Sequence, residues 1–494
     1  MPTIDRRDLH GALAEPVLGS IGFLNEVMGR YPDAVSFAPG APHPAFLREL
    51  DLDRHVRRYL DHLGDDRGLD PDRARLLLAE YGPSRGLIND LLAQALRLDQ
   101  GLDVPERAIV VTVGAQEGML LALRVLHRST DDLLAAVTPC FPGVLGAARL
   151  LDIGVVPVHE SPVGIDFDEL AEVCRAARSA GRRVRTLYVA PDYSNPSGTV
   201  LDPPARLRLL AAARRQDFLI LEDGAYGFTA APGAALPTLK SMDTDGRVIH
   251  LGTFAKVCLP GVRVGFVVAD QPVRDTNDAR DAGGTGRLLA DELAAAKTMV
   301  TVNTSPIGQA VVGGMLLEHG GSLAALGRER SVLYRRNLDL LLRALRRRLS
   351  PDAPGVPPGI SWNRPTGGFF VRLRLPCPVD AELLEYSASR YGVLWTPMSA
   401  FHLDGAGDHD LRLSCSYLDP DQIEEGVDRL ARFLRDLPTA PSGGRRTRTA
   451  GAESVPRGRG TSGPVHASPG TAPVHPTPDT RPVAPAGPTS GQQR

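Results

Sequence analysis

Lysine is nearly absent from this chain: it occurs only at 240, 256 and 297, although Lys and Arg together number 56 in 494 residues. Arginine serves wherever a generic positive charge is enough, so a retained lysine is a candidate for chemistry that guanidinium cannot perform. Imine formation by an amine that can lose its proton is one such chemistry. Long apolar runs are missing too. None reaches 18 residues, and the start, MPTIDRRDLHGALAEP, lacks the apolar core of a signal peptide, so the expected location is the cytoplasm. Paired cysteines are also lacking. The five present (140, 174, 258, 377 and 415) form no CxxC pair and no even-numbered disulfide frame, and are expected to be reduced and mostly buried. No metal site is expected. Nor is there an excess of positive charge on the body. Residues 438–494 carry seven Arg against Glu453 and Asp479, a net of +5; the whole chain carries −2, so residues 1–437 carry −7. A mildly acidic body gives no electrostatic reason to expect nucleic acid or a membrane surface as partner.

What is present is a large apolar fraction, 43%, enough for more than one domain. From about residue 108, short β-branched runs (AIVVTVG, DLLAAVTP, VRTLYVAP, DFLILEDG, RVIHLGTF, RVGFVVAD) alternate with amphipathic helical stretches. That alternation predicts an α/β fold, a mostly parallel sheet covered by helices on both faces, beside a smaller α+β domain. The expected boundaries are an N-terminal arm and part of the small domain at 1–50, the large domain at 51–310 and the small domain at 311–437. A tail at 438–494, dominated by Pro, Gly, Ser and Thr, cannot bury enough apolar surface to offset its ordering entropy and is expected to be disordered.

In such a sheet, ligands bind beyond the carboxyl ends of the strands, so the residues ending each strand carry the argument. VIHLGTF runs into Ala255 and Lys256, then a Pro-Gly turn and Arg263. LILEDGAYG places Asp223 at a strand mouth with Tyr226 three residues on. LYVAPDYSNPSG places Asn195 in a turn, VVTVGAQEG opens a helix at Gly114 and Ala115, and VTPCFPG presents Phe141. Taken singly, each has an ordinary explanation: a surface lysine, a helix cap, a turn asparagine, a core phenylalanine. Together they match one ligand. A helix N-terminus and Arg263 can hold a phosphate, Asp223 can pair with a ring nitrogen, Phe141 can stack on a planar ring, and Lys256 can bind an aldehyde; pyridoxal phosphate has all four groups.

These motifs, in this order over roughly residues 20–437, resemble the class I/II aminotransferases of pyridoxal phosphate fold type I, a resemblance that implies seven strands in the mostly parallel sheet of the large domain. YGPSRG (81–86) matches the family's Y-G-x-x-x-G, NPSG (195–198) its N-P-[TS]-G, DGAY (223–226) its D-x-x-Y, TFAKVCLPGVRVG its lysine signature and LRLS (411–414) its substrate-arginine strand. The resemblance implies that Lys256 carries the cofactor as a Schiff base and moves the substrate's proton. It implies that Asp223 keeps the pyridine nitrogen protonated and that Tyr226 and Asn195 bond the phenolic oxygen. Ala115, Gln116, Thr253 and Arg263 would hold the phosphate, with Tyr81 reaching the site of a neighbouring subunit and Phe141 stacking on the ring. Arg412 would clamp the substrate carboxylate, with Asn195 and Gly40 nearby. A homodimer follows if Tyr81 crosses a subunit boundary. GFLNEVMGRYPDAVSFAPGAP and LLADELAAAKTMVTVNTSPIGQAVVGGML look, more narrowly, like arylglycine transaminases of antibiotic pathways. That resemblance implies transfer from an L-amino acid, such as an aromatic one, to a 2-oxo acid such as an arylglyoxylate. Two alternatives remain open here: another reaction at Cα (oxidase, lyase or racemase), or an aminotransferase-like regulator. Ala255 stands where many relatives have serine, Pro-Met at 397–398 where Pro-Gly is usual, and Asn89 where arginine is frequent.

Overall fold

A computed structural model describes residues 3–161, 164–274, 286–350 and 353–437; the tail expected to be disordered lies outside the described residues. The central sheet has seven strands: β1 (Ile109–Thr112), β2 (Asp132–Thr138), β3 (Val155–His159), β4 (Arg183–Val189), β5 (Leu219–Asp223), β6 (Val248–Thr253) and β7 (Gly265–Val268). Their spatial order is β1-β7-β6-β5-β4-β2-β3. All pairs are parallel except those of β7, which runs antiparallel to β1 and β6. Every residue of β2 is buried, as expected of a strand covered on both faces. Its alternate side chains serve different cores: Leu134 and Ala136 pack with α2 (Gly114–Leu126) and α3 (Pro142–Leu150), whereas Leu133, Ala135 and Val137 pack under the helices Phe167–Ser179 and Pro203–Gln216. β3 is the strand whose apolar run is interrupted, by Pro157. It lies at the sheet edge, where a missing backbone N–H breaks no ladder.

A separate apolar core surrounds a four-stranded antiparallel sheet of β8 (Ser361–Trp362), β9 (Phe370–Arg374), β10 (Thr396–Pro397) and β11 (Asp410–Ser414), in the order β10-β11-β9-β8. Val27 and Phe37 join this core, and Val35–Ser36 pairs in parallel with Val393–Leu394, so the N-terminal arm is stitched to the C-terminal part of the chain. The helix Pro306–Glu318 packs against Leu52–Asp65 and contributes Ala310, Val311, Val312, Met315 and Leu316 to a core beneath the large sheet. The 27-residue helix Leu323–Leu349 then spans from that core, through Leu326, to the C-terminal one, through Leu338, Leu341 and Leu345. Among the described residues no helix is long and apolar enough to cross a membrane. All five cysteines are free; four are buried and Cys377 is half-buried.

Candidate active site

The strand ends converge. β1 leads into α2 through Gly114, whose φ of +71° lies in the left-handed region, and a Cβ there would come within 2.6 Å of Arg263 Nη2. The backbone at the helix start and the Arg263 guanidinium therefore form a cradle in which a side chain at Gly114 would strain the backbone and displace the guanidinium. Such a helix start offers free N–H groups and a positive dipole end to an anion. Thr253, ending β6, completes the rim, its Oγ1 accepting from the Ala255 N–H at 3.1 Å. Substituting Gly114→Ala should weaken capture of a phosphorylated cofactor by the cofactor-free protein at least about tenfold, through left-handed strain and displacement of Arg263. Titration of the cofactor-free variant by absorbance checks this.

Lys256 follows β6, and its Nζ donates to the Gly40 carbonyl at 2.6 Å. Burial, with help from the positive charges of Arg412 and Arg263 and against the pull of Asp223, brings the amine down to about 8. Asp223 ends β5. Its Oδ2 accepts from the Tyr188 hydroxyl at 2.6 Å and its Oδ1 from the Ala225 N–H at 3.2 Å. Burial raises this carboxyl above the usual range, opposed by the bonds from Tyr188 and Ala225. Tyr226 is buried edge-on against Phe369 and Phe370, with centroids 5.2 and 5.5 Å away.

Arg412, on β11, is only 6% exposed. Its Nη1 donates to Asn195 Oδ1 at 2.7 Å, and its Nη2 to the Ala38 carbonyl at 2.7 Å and to Thr396 Oγ1 at 3.2 Å. The guanidinium lies over the rings of Phe370 and Phe401, at 4.4 and 5.2 Å. Burial lowers Arg412 to about 10, which leaves it cationic at neutral pH. Its Nε–H is buried with no hydrogen-bond partner among the described residues, an unusual state for a charged group and one that a bound carboxylate would relieve.

Two adjoining cavities connect these groups. One of about 240 Å³ is lined by Lys256, Ala115, Gln116, Phe141, Asn195, Asp223, Tyr226, Thr253 and Arg263, nine of the ten residues expected to meet the cofactor. The tenth, Tyr81, is not among them; it is 87% exposed. The other cavity, about 870 Å³, shares Phe141, Asn195, Tyr226 and Lys256 and adds Arg412 and Gly40. Its wall is largely apolar. Phe23, Leu24 and Met28 of α1 (Pro16–Arg30) face Leu145 of α3 and the loop carrying Phe401 and Leu403. Sequence reasoning missed this wall: the helical spacing of Leu24 and Met28 was legible, but not what lay opposite them. Tyr188, which touches Asp223, was also passed over as one more aromatic in a buried strand.

The other two lysines have structural work. Lys297 Nζ donates to Glu117 Oε2 and Thr301 Oγ1, both at 2.7 Å, while Glu117 also accepts from the Val113 N–H just before α2. Lys240 pairs with Asp270 at 2.5 Å. Lys240 and Lys297 are buried and Lys256 is half-buried, so scarcity alone does not single out one lysine for chemistry over two ion-paired ones.

An anion cradle at a helix start, a carboxylate at the closed end, an aromatic wall and a weakly basic amine, all on the carboxyl edge of a mostly parallel sheet, fit pyridoxal phosphate group for group. This is the fold type I architecture of enzymes that use that cofactor. The chain belongs to the family Aminotransferase class I and II, which matches residues 75–430, and it is a pyridoxal phosphate-dependent aminotransferase. It is 44% identical to the (S)-3,5-dihydroxyphenylglycine transaminase of Amycolatopsis orientalis over 86% of this chain and 93% of that protein. It is 28% identical to aromatic-amino-acid aminotransferase 1 of Thermococcus litoralis, over 82% of this chain and 88% of that one. Among solved structures, the kynurenine aminotransferase of Pyrococcus horikoshii superposes with a TM-score of 0.71 at 26% identity, over 88% of this chain and 98% of that one.

Proposed function

We propose that this aminotransferase moves the amino group of an aromatic L-amino acid to a 2-oxo acid, an arylglyoxylate, in secondary metabolism. The observation that carries the reading is the cavity of about 870 Å³ beside Lys256 and Arg412, walled by Phe23, Leu24, Met28, Leu145 and Phe401. A flat apolar side chain buries well against such a wall. The 44% identical dihydroxyphenylglycine transaminase and the aromatic aminotransferase relative support the same class of substrate.

Pyridoxal phosphate, when bound, supplies an aldehyde that condenses with amines and a ring that draws electrons from the substrate's α-carbon. The chain's own groups do the rest. Arg412 binds the substrate carboxylate, with Asn195 bonded to one of its nitrogens to hold the fork in plane. Gly40 presents its carbonyl to the Lys256 amine. Lys256 is the group that removes and returns the proton at the substrate α-carbon, and its lowered basicity suits it to that exchange near neutral pH. With the cofactor bound, Asp223 would meet the ring nitrogen, Tyr226 and Asn195 the phenolic oxygen, and Phe141 the ring face. Ala115, Gln116, Thr253 and Arg263 bind the phosphate.

The functional unit in this reading is a homodimer. Tyr81 at 87% exposure, with Met299, Val300, Val302 and Ile307 also exposed, forms an apolar surface that a second copy of the chain would cover. Gly82 lies beside Asn303, which brings Tyr81 to the loop that carries these residues. Tyr81→Phe should weaken cofactor retention without altering the dimer, as read by cofactor loss on dialysis and by sedimentation.

The deciding experiment mixes the loaded enzyme with single amino acids and then with single 2-oxo acids, following the cofactor's absorbance. Aromatic amino acids should discharge it and arylglyoxylates restore it, with one oxo acid formed for each amino acid made. Discharge by aspartate or glutamate alone would overturn the aromatic assignment, and oxygen uptake or released carbon dioxide would overturn the amino-transfer stoichiometry.

A further inference from the structure

Tyr188 lies near the carboxyl end of β4, beside β5, and is 1% exposed. It reaches the floor of the cofactor-sized cavity next to Asp223. Its hydroxyl donates to Asp223 Oδ2 at 2.6 Å, while the Ala225 N–H serves Oδ1 at 3.2 Å. A carboxylate with a donor on each oxygen is held as an acceptor, which is the ionised arrangement, whereas burial alone favours the neutral acid. Phenylalanine would fill the same space in the strand. The tyrosine hydroxyl therefore has one evident task, the bond to Asp223. Its own proton is secure, because burial and the neighbouring carboxylate push the phenol well above its ordinary value. The other titratable groups acting on this pair are His250, itself bonded to Glu222 at 3.0 Å, and Lys256, Tyr226 and Cys140.

We propose that Tyr188 is a positioning residue that acts through Asp223, holding the carboxylate ionised so that the proton it shares with a bound pyridoxal ring stays on the ring nitrogen. No bond to the cofactor is required of Tyr188, and no proton leaves it. The cofactor's power to draw electrons from the α-carbon depends on that ring proton, so a hydroxyl one residue removed from the ligand tunes the reaction for every substrate.

The proposal rests on Asp223 facing the ring nitrogen, and the experiment separates the two. Holoenzyme is loaded with pyridoxal phosphate labelled with ¹⁵N in the ring, in the native, Tyr188→Phe, Asp223→Asn and doubly substituted chains, and thermal melting confirms folding. The native nitrogen should remain protonated between about pH 6 and 9. In Tyr188→Phe its resonance should move toward the unprotonated position and turnover fall about tenfold or more, the scale of one lost hydrogen bond to a charged group. In the Asp223→Asn background, Tyr188→Phe should add nothing further. An unchanged nitrogen in Tyr188→Phe, or an equal loss with and without the carboxylate, would reduce Tyr188 to packing. An unchanged nitrogen in Asp223→Asn would instead overturn the assignment of Asp223.

Discussion

Lys256→Ala is expected to abolish amino transfer, with turnover falling at least about 10⁴-fold, the upper end of what one positioned proton-transfer group contributes. The fold should survive. Lys256 contributes a single hydrogen bond, to Gly40 O, and its amine occupies a cavity rather than a packed core. Noncovalent cofactor binding should persist in part, because the cradle of Gly114, Thr253 and Arg263 is untouched. Lys256→Arg should be equally inactive, since guanidinium keeps the charge but neither forms an imine nor gives up a proton near neutral pH. A pH dependence follows as well. An amine brought down to about 8 is about one-tenth neutral at pH 7, whereas an ordinary lysine is neutral about once in three thousand molecules. The rate at which cofactor-free protein captures pyridoxal phosphate should therefore rise with pH and level off just above 8. Stopped-flow absorbance reads this directly. A rate that keeps climbing toward pH 10 would show that Lys256 is not held in the neutralising environment described, and full activity in Lys256→Ala would overturn its role altogether.

The parts legible in the sequence were those in which one residue type answers one local requirement. A buried parallel strand must be an apolar run, so six strands of the large sheet could be read directly; the seventh, Val155–His159, was masked by Pro157, which an edge position tolerates. Asp223 and Lys256 stand at strand ends, where the chain leaves the sheet and their side chains line the cavity, and Gly114 opens the helix after another strand end. Residues meeting across the fold were not legible. Nothing near Phe23 or Leu24 indicates that the N-terminal helix closes a cavity against Phe401, more than 370 positions away. Tyr188 and Asp223 are 35 residues apart, and only the β4–β5 register brings them together. The scarcity of lysine pointed to Lys256, yet Lys240 and Lys297 show a second reason to retain an amine: a compact charge with three donors fits a buried carboxylate, as Lys297 fits Glu117.

The second large effect belongs to Arg412. Its guanidinium donates to the Asn195 and Ala38 oxygens and lies over the rings of Phe370 and Phe401, while Nε–H has no partner among the described residues. A planar, delocalised cation suits contact with aromatic rings, and its fork geometry matches a carboxylate, whereas lysine offers neither. Arg412→Lys is expected to lower kcat/KM for amino acids about 10²-fold, and Arg412→Ala about 10³-fold, chiefly through KM. These are the losses expected when a desolvated carboxylate exchanges a bidentate, charge-assisted pair for one bond or none. A structural role alone could produce such numbers, so the comparison that decides is with the corresponding amine, the same side chain without its carboxylate. If Arg412 binds that carboxylate, its substitution should leave the slow discharge of the loaded enzyme by the amine within about threefold of native while the amino acid loses its advantage. An equal loss for amine and amino acid would mean that Arg412 supports the packing of Phe370, Phe401 and Asn195 and that the carboxylate is bound elsewhere. The partners of Arg412 sharpen the expectation: Asn195→Ala should cost less than Arg412→Lys, because Nη2 keeps the Ala38 carbonyl and the guanidinium keeps its contacts with Phe370 and Phe401.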